Sequence, residues 1–294
     1  MLSILIPVYN YNVVPLVLEL HKQCLECEID FEILCQDDGS NSDLNTINEI
    51  INSLENCSFF VNSNNLGRGK NRNDLAKKAK YEWILFMDCD TFPSANDFIQ
   101  KYIFQINKDE KIIYGGIKYK KEKPNDDQLL RWFYGHARES LSAKIRKTKP
   151  NTNALVSNLL ICKKNLISNM FDESITQYGY EDLVFLSDLK KKEIFAKHIE
   201  NPVYHLGLET SRQFLDKTKI AIENLKLIAK NPGFNTNESK ILRTHLFLKK
   251  LYLVPFISSL FKKTEAKIEQ NLLSQKPSLL LFDLYKLGCF CQNN

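Results

Sequence analysis

Two aspartates one residue apart, Asp88 and Asp90, follow the apolar run Trp83–Met87. Carboxylates at that spacing repel unless something positive lies beside them. A divalent cation that keeps substrate phosphates as further ligands meets that need. A turn opened by Asp88 and a helix capped by Asp90 beyond Pro93 is the plainer reading of the same residues. A second acidic pair, Glu181 and Asp182, follows Gly179 and Tyr180. The helix dipole alone favours acidic residues in a first turn. A carboxylate there also suits a general base that takes the proton of an attacking hydroxyl. Asp37 and Asp38 could accept from a base N–H or a ribose hydroxyl. In residues 64–73, Arg68, Lys70 and Arg72 suit phosphate, while Gly67 and Gly69 permit close backbone approach. A solvated helix face accounts as well for any one of these cations.

The elements that would position these residues alternate. Residues 3–8 read as a buried strand stopped near Pro7, followed by the loop Tyr9-Asn10-Tyr11-Asn12 and a helix over 13–25. A strand over 31–36, a helix over 44–54 capped by Ser42 or Asp43, a strand over 58–61, a helix through Ala79 and the strand Trp83–Met87 come next. This order predicts an α/β fold with a mostly parallel sheet and helices on both faces. Each polar cluster follows a strand, so all are expected along one sheet edge. After a helix over 98–106, residues 111–114 read as a strand ending in Gly115-Gly116, and 118–128 as an exposed loop. Residues 128–147 have helical spacing, with Trp132, Phe133 and Tyr134 either in the core or stacked on a sugar face. Asn158 lies in an apolar strand over 153–162, so its amide needs a partner. A strand over 194–199 follows.

The chain has 294 residues, is 44% hydrophobic and 26% charged, and carries a net charge of +5. Residues 211–294 hold 14 Lys and Arg against 6 Asp and Glu, net +8, which leaves the first 210 residues at −3. A basic tail of this kind hints at an anionic partner. Residues 245–263 interleave apolar side chains with lysines and are interrupted by Pro255. They suit the surface of an anionic membrane, or equally a helical appendage on the catalytic domain with a solvated basic side. Residues 279–290 are apolar enough to dock. No nucleic-acid partner is expected. Of the eight cysteines only Cys24 and Cys27 have metal-like spacing, and no second pair follows, so no zinc site and a reduced, cytoplasmic setting are expected. The start Met1-Leu-Ser-Ile-Leu-Ile-Pro has neither a basic n-region nor a cleavage site, and no apolar run reaches membrane-spanning length. No P-loop or dinucleotide glycine motif is present.

Four motifs, Ile4-Leu-Ile-Pro-Val-Tyr-Asn, Asp37-Asp-Gly-Ser, Asn65-Leu-Gly-Arg-Gly-Lys-Asn-Arg-Asn and Leu85-Phe-Met-Asp-Cys-Asp, resemble in order and spacing the family 2 glycosyltransferases of the GT-A fold. The run Gly179-Tyr-Glu-Asp resembles the acceptor-side segment of galactosyltransferase-type enzymes. The resemblance implies a UDP-sugar donor, a Mn²⁺ or Mg²⁺ ion and inversion at the anomeric carbon. It puts the nucleotide-sugar on Pro7, Tyr9, Asn10, Asp37 or Asp38 (to the uracil), Asn65, Gly67, Arg68, Lys70, Arg72 and Asp88. It puts the metal on Asp90, with Asp88 and with His205, in preference to His198. Asp182 becomes the base, and Glu181, Gly179, Tyr180 and Asn158 the acceptor site, to which Trp132 is added as a stacking ring. A saccharide acceptor, lipid-linked at the inner face of the cytoplasmic membrane, is expected. Residues 1–210 then form the catalytic domain, with a nucleotide-sugar half over 1–115 and an acceptor half over 116–210, and 211–294 form a helical appendage. A sugar nucleotidyltransferase and a non-catalytic nucleotide- or saccharide-binding module are the rivals. The first would normally carry a basic glycine-rich loop after the first strand, where Pro7-Val-Tyr-Asn-Tyr-Asn stands. The second predicts that Asp182 is dispensable.

Overall fold

The computed structural model describes residues 1–106 and 111–292. Along the chain run β1 (Leu2–Val8), α1 (Val14–Glu26), β2 (Phe31–Asp37), α2 (Leu44–Asn48), β3 (Cys57–Val61), α3 (Arg68–Lys78) and β4 (Trp83–Met87). Then come β5 (Thr91–Pro93), α4 (Phe98–Ile106), β6 (Ile112–Tyr114), β7 (Ile117–Lys118), α5 (Leu129–Tyr134), α6 (Ala143–Arg146), β8 (Asn158–Cys162) and α7 (Lys163–Ile167). The order closes with α8 (Glu181–Lys191), β9 (Lys197–His198), β10 (Val203–His205), α9 (Ser211–Ala229), α10 (Lys240–Lys250), α11 (Val254–Leu272) and α12 (Leu279–Cys291).

Two compact units share these elements. One comprises Met1–Lys118, Ser140–Thr176 and Glu181–Gly207; the other comprises Tyr119–Glu139, Gln177–Tyr180 and the chain from Leu208 onward. The second unit therefore takes two internal pieces of what the sequence reading assigns to the acceptor half.

The first unit is organised by a seven-stranded sheet in the order β3-β2-β1-β4-β8-β6-β9. From β3 to β4 all pairings are parallel, while β8 runs antiparallel to both β4 and β6. Successive side chains on a strand face opposite ways, so β1 and β4 feed two cores. Ile4, Ile6 and Leu85 pack with Val17 and Leu20 of α1 and with Phe98 and Tyr102 of α4. Leu5, Ile84 and Phe86 pack with Leu75 and Ala76 of α3 and with Phe185 and Leu189 of α8. Strands buried on both faces read as unbroken apolar runs, which is why this half is legible. The strand order changes direction between β1 and β4, the place where open α/β sheets bind ligands. A small sheet, β5-β10-β7, carries His205.

Five expected segments differ. The helix over 44–54 ends at Asn48 and tightens into a 3-10 turn, leaving Ile47 and Ile50 exposed. Its inward residue is Asn48, which accepts from the Val13 N–H (3.0 Å) and donates to the Tyr11 carbonyl (2.9 Å). The strand over 153–162 is only β8, because the Asn153 N–H turns back to the Lys149 carbonyl and the Val156 N–H goes to a side chain. The helix over 128–147 stops at Tyr134, widens to a π-helical turn where Gly135 abuts the Tyr119 ring, and restarts at Ser142. Tyr119 is buried, so the loop over 118–128 is anchored at its start. The strand over 194–199 reduces to β9.

In the second unit Tyr134, Phe214 and Phe282 form one aromatic cluster. Trp132 is half-buried, its indole N–H donating to the Lys120 carbonyl at 2.9 Å. Pro255 starts α11, so the basic stretch is two helices.

In the first unit Arg146 is buried, and its guanidinium donates to the Gly115 and Ile199 carbonyls (3.1 and 2.6 Å) and to His198 Nδ1 (3.2 Å). His198 Nε2 lies 2.8 Å from the Pro150 carbonyl, which fixes that nitrogen as the donor. Burial, with the neighbouring Arg146 charge and against the pull of Pro150, pushes the imidazole down to about 4. The unfolded chain takes up this proton near its ordinary pKa and the folded chain does not. Stability is therefore full above about pH 6.5 and falls as pH drops toward 4, by roughly 3 kcal/mol. Urea unfolding across that range should show the fall, and His198→Gln should flatten it.

Candidate active site

The carboxyl edge of the sheet gathers the predicted polar clusters of the first unit. Asp37 and Asp38 end β2, but both are committed to the protein. Asp37 is fully buried and accepts from the Ser40 N–H (2.8 Å), the Ser40 hydroxyl (2.6 Å) and the Asn45 amide (3.1 Å). Asp38 accepts from the backbone N–H groups of Leu66 (2.8 Å) and Gly67 (3.0 Å) and from the Asn62 amide (3.2 Å). Asp38 thus ties the loop before α3 to the end of β2. Gly39, at φ +67°, sits so close to that loop that a Cβ would lie 2.4 Å from the Asn64 carbonyl carbon. Asn65 accepts from the Gly67 N–H at 3.1 Å, and Gly67 enters α3 at φ +85°. At the end of β1, Pro7 lies beside Gln36 in register, Tyr9 is exposed, and Asn10 accepts from the Ser42 hydroxyl at 2.8 Å.

Helix α3 places its cations on different errands. Lys70 pairs with Glu173 at 3.6 Å on the exposed side. Gly69 backs onto Phe171, so its close approach is to the chain itself. Arg72 is 2% exposed and stands at the centre of the acidic residues. Its Nη2 donates to Asp88 Oδ1 (2.8 Å) and its Nη1 to Asp182 Oδ1 (3.1 Å), with Glu181 Oε1 at 3.9 Å. Arg68, one turn earlier, reaches Glu181 at 3.5 Å. Three carboxylates from two sequence-distant segments are therefore brought together around one guanidinium.

Asp88 and Asp90 lie in a turn past the end of β4, where the Asp88 carbonyl accepts from the Thr91 N–H (3.1 Å) and hydroxyl (2.7 Å). The turn half of the plainer reading is present. The helix-cap half is not, since α4 begins only at Phe98. Both aspartates lie outside the strand, and each has its own neighbour. Asp88 faces Arg72, and Asp90 Oδ2 lies 3.4 Å from His205 Nε2. Gly207 crosses directly over this carboxylate, where a Cβ would come within 2.6 Å of Asp90 Oδ2. Gly207 was not singled out by sequence, and only its place two residues after His205 could have marked it.

Among the described residues no three His, Cys, Asp or Glu side chains form a metal cage. Two donors, the Asp90 carboxylate and the His205 imidazole, do stand together, and Asp88 opens the turn that carries Asp90. That set fits an ion that takes its remaining ligands from substrate phosphate and water, and does not fit a structural metal.

Asp182 opens α8. Its second oxygen accepts from the Val156 N–H at 3.0 Å, a partner that the predicted strand over 153–162 concealed. Burial, opposed by Arg72 and reinforced by the charges of Glu181 and Asp88, pushes its carboxyl up to about 6. Burial also works against ionised Asp88, but Arg72 and Arg68 outweigh it and hold that carboxyl below its ordinary range. Asn158 is fully buried and its amide is consumed internally. It accepts from the Tyr102 hydroxyl (2.7 Å) and donates to the Gly116 and Asn201 carbonyls (2.8 and 2.9 Å), which meets the need for partners that its place in an apolar run implies. Gly179, Tyr180 and Trp132 belong to the second unit. Gly179, at φ +96°, is pressed against Ala221 of α9. Replacing Arg72 by Ala strands three carboxylates, so a loss of about 3–5 kcal/mol is expected in denaturant unfolding at pH 7. In the same variant, NMR titration should show the Asp182 pKa rising further.

The family model described as "Glycosyl transferase family 2" matches residues 3–170. A poly(ribitol-phosphate) beta-glucosyltransferase of Bacillus spizizenii is 33% identical over 126 residues, which cover 40% of this chain and 19% of that protein. The hyaluronan synthase of Pasteurella multocida is 26% identical over 239 residues, 69% of this chain and 24% of that protein. The chain thus spans only a fifth to a quarter of the length of these relatives. A mannosyltransferase from Pyrobaculum calidifontis, solved with GDP-Man and Mn²⁺, superposes with a TM-score of 0.60 at 10% identity over 99% of this chain and 84% of that one. TarS from S. aureus gives 0.50 at 17% identity over 98% and 90%. With its mostly parallel sheet, its four motifs along one edge and the family match over more than half its length, the chain belongs to glycosyl transferase family 2 and has the GT-A fold.

Proposed function

We propose that the protein transfers a sugar from a UDP-sugar to a saccharide hydroxyl with inversion, in a metal-dependent reaction. The observation that carries this reading is Asp182. It is a carboxylate held by two bonds at the carboxyl edge of the sheet, with a pKa of about 6. Such a group is ionised at neutral pH yet basic enough to take a proton in the transition state. The acceptor oxygen attacks the anomeric carbon opposite the nucleotide. Its proton passes to Asp182, the bond from that carbon to the phosphate oxygen breaks, and UDP departs with the electron pair.

Charge on the departing diphosphate falls to α3, whose N-terminal N–H groups and Arg68 favour an anion. When bound, a Mn²⁺ or Mg²⁺ ion supplies further positive charge against the diphosphate. Asp90 and His205 would hold that ion, with Asp88 beside them. The nucleoside is assigned to Tyr9, Asn10 and the loop that Asp38 fastens. Asp37 and Asp38 act there as the scaffold, and the direct contact of one of them with the uracil rests on the sequence reading. Glu181 is assigned to the acceptor. The acceptor roles of Gly179, Tyr180 and Trp132, and the nucleotide roles of Pro7 and Lys70, rest on the sequence reading. The names of the relatives, one a glucosyltransferase of a ribitol-phosphate polymer and one a hyaluronan synthase, support a growing surface polysaccharide as acceptor. We assign it as lipid-linked and met at the cytoplasmic membrane.

UDP release from a panel of UDP-sugars, with Mn²⁺ or with EDTA, tests the reading. One donor should turn over only with metal, and Asp90→Ala should abolish that dependence together with most activity. Asp182→Asn should still bind UDP but turn over about 10²–10⁴-fold more slowly. The wild-type kcat/KM should fall below an apparent pKa near 6, because protonated Asp182 cannot accept the proton. Release from no donor, without UDP binding, would overturn the enzyme reading in favour of a binding module.

A further inference from the structure

Within the second unit, α10 and α11 are joined by a tight turn whose side chains are turned outward. Phe247, Leu251, Tyr252, Leu253, Phe256 and Leu260 are all exposed within 14 residues, Tyr252 at 90% and Phe256 at 63%. Single exposed apolar residues need no explanation, but a contiguous set of this size marks an interaction surface. The turn is well formed. The Tyr252 N–H bonds to the Lys249 carbonyl (3.1 Å) and the Leu253 N–H to the Leu248 carbonyl (3.0 Å). Tyr252 itself is held at φ +57°, a conformation uncommon for a bulky side chain. The hydrogen bonds therefore support an aromatic residue at the tip of the turn, where nothing in its own unit covers it.

Charge decides what meets this surface. Residues 240–264 contain six Lys and Arg and no Asp or Glu. Lys249 and Lys250 flank the turn on α10, and Lys262 and Lys263 flank it on α11; all four are exposed. A symmetric contact between two copies would bring like charges together. An anionic lipid surface takes up both features at once, with rings and leucines at the headgroup boundary and lysines reaching the phosphates. Among the described residues no helix is long and apolar enough to cross a membrane, so the contact suited to this surface is interfacial. We propose that the turn between α10 and α11 docks on an anionic lipid bilayer. The proposal deepens the lipid-linked acceptor reading by naming the surface through which the enzyme meets its substrate's membrane.

Co-sedimentation with phosphatidylcholine vesicles, with and without phosphatidylglycerol, tests it, alongside UDP release with a water-soluble acceptor. The protein should sediment only with the anionic vesicles, and less at high salt. Lys249→Glu with Lys250→Glu, and separately Tyr252→Ser with Phe256→Ser, should each weaken binding about tenfold or more and leave soluble turnover unchanged. No sedimentation by the wild type, or variants that bind as it does, would overturn the proposal while turnover keeps the catalytic reading. A dimer in analytical ultracentrifugation that the variants abolish, without vesicle binding, would overturn it in favour of a second copy. Vesicle binding lost in the variants, with no turnover of any donor, would uphold the surface and sink the catalytic reading instead.

Discussion

One guanidinium holds the site of the first unit together. Arg72 projects from α3 between the turn after β4 and the first turn of α8, and among the described residues no other cation lies so deeply buried beside the carboxylates of those segments. Three acidic groups within reach of one another cannot all stay ionised in a dry setting without such a partner. The planar fork matters as much as the charge, since its two terminal nitrogens point to two different aspartates at once. A lysine supplies one point charge and would satisfy one of them. The separation between the aspartate at the sheet edge and the proposed base is thereby set by the span of a single side chain. Arg72 also lies over the Phe171 ring, 5.6 Å from its centroid, which limits its movement sideways.

The same edge shows carboxylates used as carpentry. Asp37 closes its own turn, and Asp38 fastens two backbone N–H groups of the next loop. Fixing that loop fixes where α3 begins, and with it the depth at which Arg72 reaches the acidic cluster. A second buried arginine, Arg146, plays a comparable part, donating to the Leu141, Gly115 and Ile199 carbonyls and to His198. Binding and building roles therefore cannot be separated by residue type along this sheet edge.

Legibility followed burial. The strands from β1 to β4 are covered on both faces, so their apolar runs and the helices between them were readable without tertiary knowledge. Readings failed where a tertiary contact overrode local pattern. Asn48 faces inward where Ile47 and Ile50 were expected to, Val156 leaves the strand to bond Asp182, and the Tyr119 ring at Gly135 accompanies a widened helical turn. In the candidate site, residue types and the sheet edge were legible, and partners were not. Arg72 and Asp182 are 110 residues apart, and no local spacing links them. Asn158 was legible as a polar group in need of partners, but its three partners come from separate parts of the chain.

The chain crosses between its two units five times, after residues 118, 139, 176, 180 and 207. Neither unit is therefore a cassette. The short piece Gln177–Tyr180 is bonded to α9 through Asn224, and α5 packs with α9 and α12 through Tyr134, Phe214 and Phe282. A gene fragment ending near residue 210 would carry these two inner loops without the helices that cover them. Recombination could exchange the helical part between relatives only if it brought both loops along. The pieces Tyr119–Glu139 and Gln177–Tyr180 and the C-terminal helices would therefore have to be inherited as one block.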